Sequence, residues 1–176
     1  MKDKIFKRGN GTSVSYAQMT KIIAEYIAAQ PFADYEITVG TDSQSHSRTK
    51  LVEVIAIHRV GAGGIFFYRV EYVDKIRILK EKIIEETARS IDNATGLLDE
   101  ISVNLIDHDL DIEDLNVRFQ IHCDIGHYGK TSALIAEITN WVESMGYEVA
   151  IKPDSYTASG IANKYLDGRV DHEQHF

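Results

Sequence analysis

The stretch that most constrains the fold is an alternating apolar run that ends in a lone carboxylate. Ile37 and Val39 alternate with Thr38 and Gly40 at the two-residue period of a β-strand, and Asp42 follows at the end of the run. A carboxylate at the end of a buried strand is costly unless something positive meets it. The residues leave three such partners open: a metal ion, a helix N-terminus or an arginine.

The composition favours one globular domain in a reducing compartment. The chain has 176 residues, of which 44% are hydrophobic and 26% charged, enough for a sizeable core. Its one cysteine, Cys123, excludes an internal disulfide framework. There is no bilayer-length apolar run and no signal-peptide pattern, so we expect a cytoplasmic protein without a membrane partner. The net charge of -8 argues against nucleic-acid binding, because lysine and arginine hold phosphates.

The hydrophobic pattern predicts a folded domain over residues 13–166. A flexible arm is expected over residues 1–12 and a flexible tail over residues 167–176. Ser15 and Gln18 have the spacing of a capping box, which indicates that the first helix begins there.

Periodicity predicts three consecutive strands after that helix, followed by alternating helices and strands. The predicted bounds are strands over 35–42, 51–59 and 65–72, a polar loop over 43–50, a long helix over 76–101, a strand over 117–123, a helix that ends at Gly146, a strand over 147–151 and a last helix to Leu166. This order predicts an α/β fold with a five-stranded mixed sheet. Strands 1–3 are expected to be antiparallel and strands 4–5 parallel to strand 1, with helices on both faces.

Carboxylates recur at equivalent places in this pattern. Asp124 ends the fourth strand, and Asp154 follows the fifth strand where the last helix begins. Parallel neighbours end at the same edge of a sheet, so Asp42 and Asp124 are expected to meet there, near Asp154. With a glutamate from the long helix they would form an all-oxygen cluster, which suits Mg²⁺ or Mn²⁺. Two such ions activate a water and stabilise the leaving oxygen in phosphodiester cleavage.

Each of these acids also has an ordinary structural interpretation. Asp42 and Asp124 lie beside turn residues, and Asp154 is typical of a helix N-cap. On the long helix, Glu81 and Glu86 fall on opposite flanks of the apolar stripe, so periodicity does not choose between them.

The turn that begins at Gly126 resembles a phosphate-binding P-loop. A P-loop needs four residues between its glycines, whereas two separate Gly126 from Gly129, so no nucleotide-triphosphate site is expected. The N–H groups of the turn, with Lys130 beside them, can still hold a substrate phosphate. A plain strand-to-helix connection is the alternative. His127 in the turn is the candidate for proton transfer.

Several motifs together carry a resemblance to a known family. They occupy residues 39–44, 79–90, 122–126, 129–131 and 151–156, with Ala158. On these motifs the chain resembles the ribonuclease H-like superfamily, and more closely a small bacterial family within it that was long known only as a domain of unknown function. The resemblance runs over roughly residues 16–166 and implies a ribonuclease H-like fold. It also favours Glu86 as the helix carboxylate.

The resemblance implies a metal-dependent nuclease acting on RNA, DNA or a hybrid, or a descendant of one. The residues implied as catalytic and as ligands of two Mg²⁺ or Mn²⁺ ions are Asp42, Glu86, Asp124 and Asp154. The residues expected to bind the nucleic acid are Ser43, Gln44, Gly126, Lys130 and Lys152. The alternative is a non-catalytic ribonuclease H-like module that binds protein or nucleic acid, because a fold does not fix a function.

Overall fold

The computed structural model describes residues 3–155 and Gly160, which form a mixed sheet with helices packed on it. The strands are β1 (Ile5–Arg8), β2 (Ser13–Ser15), β3 (Tyr35–Ser45), β4 (Thr49–Arg59), β5 (Gly64–Val73), β6 (Val117–His122) and β7 (Glu148–Ala150). The α-helices are α1 (Tyr16–Ala28), α2 (Leu79–Ala94), α3 (Leu97–Ile106) and α4 (Ile135–Ser144). Short 3-10 helices span Ile112–Asp114 and Ser132–Leu134. None of the helices described is long and apolar enough to cross a membrane.

The sheet has the order β2-β1-β5-β4-β3-β6-β7. The strands β3, β4 and β5 are antiparallel neighbours, whereas β6 runs parallel to β3 and β7 runs parallel to β6. The predicted five-stranded mixed sheet and its strand directions are therefore confirmed. The hairpin of β1 and β2 extends it to seven strands.

The structure differs from the predicted flexible arm at residues 5–8, which form β1. This strand pairs with both β2 and β5, and the side chain of Phe6 is 0% exposed in the main core. Phe6 is the one inward-facing apolar side chain of this strand, because Ile5 is 55% exposed, so the segment shows almost no hydrophobic period. The predicted tail, residues 167–176, lies outside the described residues.

Two other predicted boundaries are wrong. Only residues 46–48 turn between β3 and β4, where a longer loop over 43–50 was expected, because the polar ends of both strands still pair. The predicted long helix over 76–101 is two helices that separate at Thr95 and Gly96. Gly96 has φ 73°, a left-handed conformation that a right-handed helix does not contain. The apolar period continues in phase across this break, which hides it in the sequence.

The beginning of α1 is as predicted. The Ser15 side chain accepts a hydrogen bond from the Gln18 N–H at 3.2 Å, and the Gln18 side chain accepts one from the Ser15 N–H at 2.8 Å. This reciprocal capping box satisfies two backbone donors where the chain leaves β2 and enters the helix.

The main core lies on one face of the sheet, and all four α-helices contribute to it. Its fully buried members include Ile37 and Val39 of β3, Ile55 of β4 and Ile121 of β6. A smaller cluster on the opposite face consists of Val52, Val54, Ala56 and Phe66. Most of the predicted last helix lies outside the described residues, so helices on both faces stay a prediction.

A buried carboxylate on β4 forms ion pairs with residues from several other parts of the fold. Glu53 is 0% exposed, and its oxygens lie 2.9 Å from Arg89 of α2 and 3.4 Å from Arg69 of β5. The ammonium of Lys4, just before β1, lies 3.7 Å away. Burying one charge without these partners would cost several kcal/mol, so the network fixes α2 and the N-terminal hairpin against the sheet.

We predict that Phe6→Ala lowers the free energy of unfolding by about 3–5 kcal/mol, the usual cost of emptying a buried phenylalanine site. Urea unfolding followed by circular dichroism measures this difference. The matched control is Ile5→Ala in the same strand, whose side chain is 55% exposed and which should change stability little. Equal small effects from both variants would contradict the placement of β1.

Candidate active site

Three acidic side chains line one cavity of about 400 Å³ where β3 and β6 end. They are Asp42 of β3, Glu86 of α2 and Asp124, which follows β6. The other lining residues are Ser43, Leu79, Lys82, Ile83, Tyr128, Lys130, Thr131 and Lys152. The parallel register pairs Gly40 with His122, so both aspartates come two residues beyond paired positions.

The electrostatic environment of Asp42 disfavours its charge. Burial raises the pKa of Asp42, and the nearby carboxylate of Asp124 raises it further. A hydrogen bond from the Ser43 backbone and the charges of Lys82 and Lys152 act in the opposite direction. Asp42 is thus a carboxylate with too little positive charge around it.

Glu86 is the most enclosed of the three acids, with 8% of its surface exposed. Burial raises the pKa of Glu86 to about 8; the charges of Asp42 and Asp124 add to this, whereas the hydroxyl of Ser43, which donates to Glu86 Oε1, opposes it. A hydrogen bond of 2.9 Å between Thr41 of β3 and Ser90, one turn further along α2, keeps this helix against the strand.

The structure distinguishes Glu86 from Glu81, which periodicity left open, and from the neighbouring Glu85. Glu81 is exposed to solvent, and Glu85 accepts a hydrogen bond of 2.7 Å from the guanidinium of Arg89. Glu86 alone of these three lines the cavity, at the position that the family resemblance favours.

The third acid, Asp124, is held by a lysine. The Lys152 ammonium lies 3.0 Å from Asp124 Oδ1, and both side chains remain partly exposed at 53% and 32%. Exposed ion pairs of this kind are worth about 0–1 kcal/mol, so the contact can open at little cost. Gly126 makes the approach of Lys152 possible, because a Cβ there would lie 3.0 Å from the Lys152 Cβ.

The fourth predicted acid, Asp154, lies apart from this cavity. It is exposed in the turn after β7, where its N–H donates to the Ile151 carbonyl at 2.8 Å. Its charge acts on His122, whose pKa burial lowers to about 4 and Asp154 raises in part. The structure therefore brings three of the four predicted carboxylates together and leaves Asp154 near His122.

Only some residues of the turn after Asp124 line the cavity. The Gly126 N–H, expected to hold a phosphate, donates instead to Thr131 Oγ1 at 3.1 Å. Lys130 lines the cavity, whereas the exposed His127 does not. Gln44 lies on β3 opposite Lys50 and is also not among the lining residues.

Two lining residues with charged or aromatic side chains, Lys82 and Tyr128, are not among the site residues predicted from the sequence. Lys82 lies four residues before Glu86, and this helical spacing places both side chains on one face of α2, a signal that was available. Tyr128 lies inside the glycine turn, and its side chain is 95% exposed at the cavity. No periodic signal accompanies a residue in such a turn.

The donor set fits a hard divalent cation in its chemistry, because three carboxylates supply oxygen ligands around one cavity. The raised pKa values of Asp42 and Glu86 point the same way, since a cation would offset the charge that raises them. The set is not preassembled: within residues 3–155, no three histidine, cysteine, aspartate or glutamate side chains are arranged to hold a metal ion.

Comparison with known proteins agrees with this fold. Residues 18–167 match the family model described as ribonuclease H-like, so the chain belongs to the ribonuclease H-like family. The chain is also 37% identical over 162 residues to the uncharacterized protein YkuK of Bacillus subtilis (strain 168), a match that covers 87% of this chain and 94% of that protein. The predicted family resemblance is thereby confirmed.

Solved structures with a remote likeness are those of the Mos1 mariner transposase catalytic domain. The domain with raltegravir and Mn gives a TM-score of 0.34 at 12% identity, covering 89% of this chain and 72% of that one. The crystal structure of the catalytic domain gives a TM-score of 0.30 at 11% identity, covering 86% and 64%.

We predict that, with EDTA present, the protein loses stability as the pH rises from about 6.5 to about 8. Below about pH 6.5 the buried His122, whose pKa is lowered from 6.5 to about 4, acts in the opposite direction. The folded state keeps a proton on Glu86, whose pKa is raised from 4.5 to about 8, after the unfolded chain has released it. The unfolded state then binds fewer protons, so the free energy of unfolding falls with pH across this window. Urea unfolding at a series of pH values measures the decline.

Glu86→Gln should flatten this decline, and the raised pKa of Asp42 should leave a residual slope of the same sign. Glu81→Gln is the matched control, because it removes an exposed glutamate from the same helix. A Glu86→Gln variant with the full decline of the wild type would show that Glu86 is not its source.

Proposed function

We propose that this protein is a metal-dependent nuclease that hydrolyses phosphodiester bonds in RNA, DNA or a hybrid. The observation that carries the proposal is the convergence of Asp42, Glu86 and Asp124, from three separate elements, on one cavity of a ribonuclease H-like domain. Burial and neighbouring carboxylates raise the pKa values of Asp42 and Glu86, and such shifts are typical of functional sites.

Asp42, Glu86 and Asp124 would hold Mg²⁺ or Mn²⁺, and the proposed number of bound ions is two. Such ions lower the pKa of a bound water and stabilise the leaving oxygen of a phosphodiester. Asp154 stays the predicted fourth ligand, although it lies outside the cavity in the arrangement described. The cytoplasm stays the proposed compartment, on the basis of the single cysteine.

The lysines of the cavity would bind the substrate backbone. Lys82, Lys130 and Lys152 line the same cavity as the acids, so a phosphate brought to the carboxylates also meets positive charge. Lys152 has two roles in this proposal: it holds Asp124 before substrate binds and contacts a phosphate afterwards. This local supply of cations answers part of the objection raised by the net charge of -8. Ser43 orients Glu86 through its hydrogen bond.

A non-catalytic ribonuclease H-like module is the second candidate. The specific observation in its favour is that, in the part of the chain described, the acids do not stand ready around a metal position. Asp124 is instead paired with Lys152.

Cleavage of labelled RNA, DNA and hybrid substrates with Mn²⁺ tests the nuclease. We expect Asp42→Asn to lower the cleavage rate by about a hundredfold or more, because the metal contribution is worth several kcal/mol and 1.36 kcal/mol is tenfold. The control Glu81→Gln should keep wild-type activity, since that side chain is exposed and outside the cavity. Cleavage that persists unchanged in Asp42→Asn would refute the assignment of the site.

Calorimetric titration with Mn²⁺ and Mg²⁺ separates the two candidates without a substrate. We expect binding to wild type that is weakened in both Asp42→Asn and Glu86→Gln and retained in Glu81→Gln. Because the carboxylates must release their protons to bind a cation, the affinity should rise from pH 6 to pH 8. No binding at millimolar metal would favour the non-catalytic module.

A further inference from the structure

An aromatic ring stands in water beside the carboxylate cavity. The side chain of Tyr128 is 95% exposed, although it is large and lies in the turn between β6 and α4, where smaller or more polar residues are usual. It is among the residues that line the cavity with Asp42, Glu86 and Asp124. Its ring is therefore available for a flat partner that reaches this site.

Exposure alone would not assign a role to this ring. Phe32 is just as exposed, at 94%, but it lies between α1 and the beginning of β3, whereas Asp42 lies near the end of that strand. Tyr128 differs because cations accompany it: Lys130 is two residues further along the turn, and Lys82 and Lys152 line the same cavity. An aromatic face next to several lysines offers the two contacts that a nucleotide needs, one for its base and one for its phosphate.

An exposed aromatic ring beside lysines suits a single-stranded nucleic acid better than a duplex. A base inside a duplex already stacks on both sides, so it has no face to offer to a protein ring. An unpaired base stacks on exposed aromatic side chains, and each such contact strengthens binding roughly 5- to 150-fold. Duplex binding also depends on many phosphate contacts, which a chain of net charge -8 with a compact lysine cluster is poorly suited to supply.

We propose that Tyr128 stacks on an unpaired base beside the phosphate that the site receives, so that the substrate class is single-stranded nucleic acid. This inference rests on the proposed function, because it takes the carboxylate cavity as the place where the phosphate binds. Lys82, Lys130 and Lys152 hold the backbone next to the stacked base. The same chemistry applies to single-stranded RNA and single-stranded DNA, and the test includes both.

Fluorescence anisotropy with labelled 12-nucleotide probes tests the proposal. The probes are single-stranded DNA, single-stranded RNA and a blunt DNA duplex, titrated with Mn²⁺ present and with Asp42→Asn in every protein to prevent cleavage. We expect Tyr128→Ala to weaken single-strand binding about tenfold, within the range of one lost stacking contact. Tyr128→Phe keeps the ring and should bind within about twofold of its parent. Phe32→Ala, the matched control, should change nothing.

Several outcomes would overturn this inference. They are single-strand binding that Tyr128→Ala leaves unchanged, an equal loss in Phe32→Ala, an equal loss on the duplex, or no binding of single strands at all. Comparing the RNA probe with the DNA probe shows which sugar is preferred, and this comparison does not test the role of Tyr128.

The cleavage assay distinguishes this inference from the proposed function. Single-strand binding that depends on Tyr128, in a protein that cleaves nothing with Mn²⁺, would refute the nuclease and leave the stacking site standing. Mn²⁺-dependent cleavage that Asp42→Asn abolishes, but that Tyr128→Ala leaves unchanged on single strands, would refute the stacking site alone.

Discussion

The parallel pairing of β3 with β6 is the constraint on which the site depends. Antiparallel neighbours such as β3 and β4 end at opposite edges of a sheet, whereas parallel strands end together. The register that sets Gly40 beside His122 therefore delivers Asp42 and Asp124 to one edge, on one face. Glu86 reaches the same edge from the other face, because α2 lies across the core side of β3. The position of the cavity therefore follows from the order and direction of the strands.

The negative charge of the carboxylates in this site is only partly neutralised. Burial and mutual repulsion raise the pKa values of Asp42 and Glu86, and the nearby lysines only partly compensate. The contact of Lys152 with Asp124 is weak enough to exchange for another partner. A site of this kind lowers the stability of the fold at neutral pH, because the folded state disfavours the charged forms of Asp42 and Glu86.

Some of this could be predicted from the sequence, and the reasons for the misses are physical. The meeting of Asp42 and Asp124 followed from strand ends alone, whereas Glu86 needed a family resemblance, because periodicity treated Glu81 equally. The hairpin of β1 and β2 was missed because Phe6 is its one deeply buried side chain in β1. The break at Gly96 was missed because α2 and α3 keep the same apolar phase. Tyr128 escaped because a ring in a turn has neither period nor neighbours to reveal it.

The Glu53 network has a consequence for where this domain begins. The family match starts at residue 18, but Lys4 shares the buried carboxylate of Glu53 with Arg89, three residues beyond Glu86 on the same helix. The N-terminal hairpin thus braces the helix that carries the most enclosed acid of the cavity. A fragment cut at the family boundary would keep every candidate ligand and lose that brace. In this protein the structural domain therefore begins earlier in the chain than the region that matches the family model.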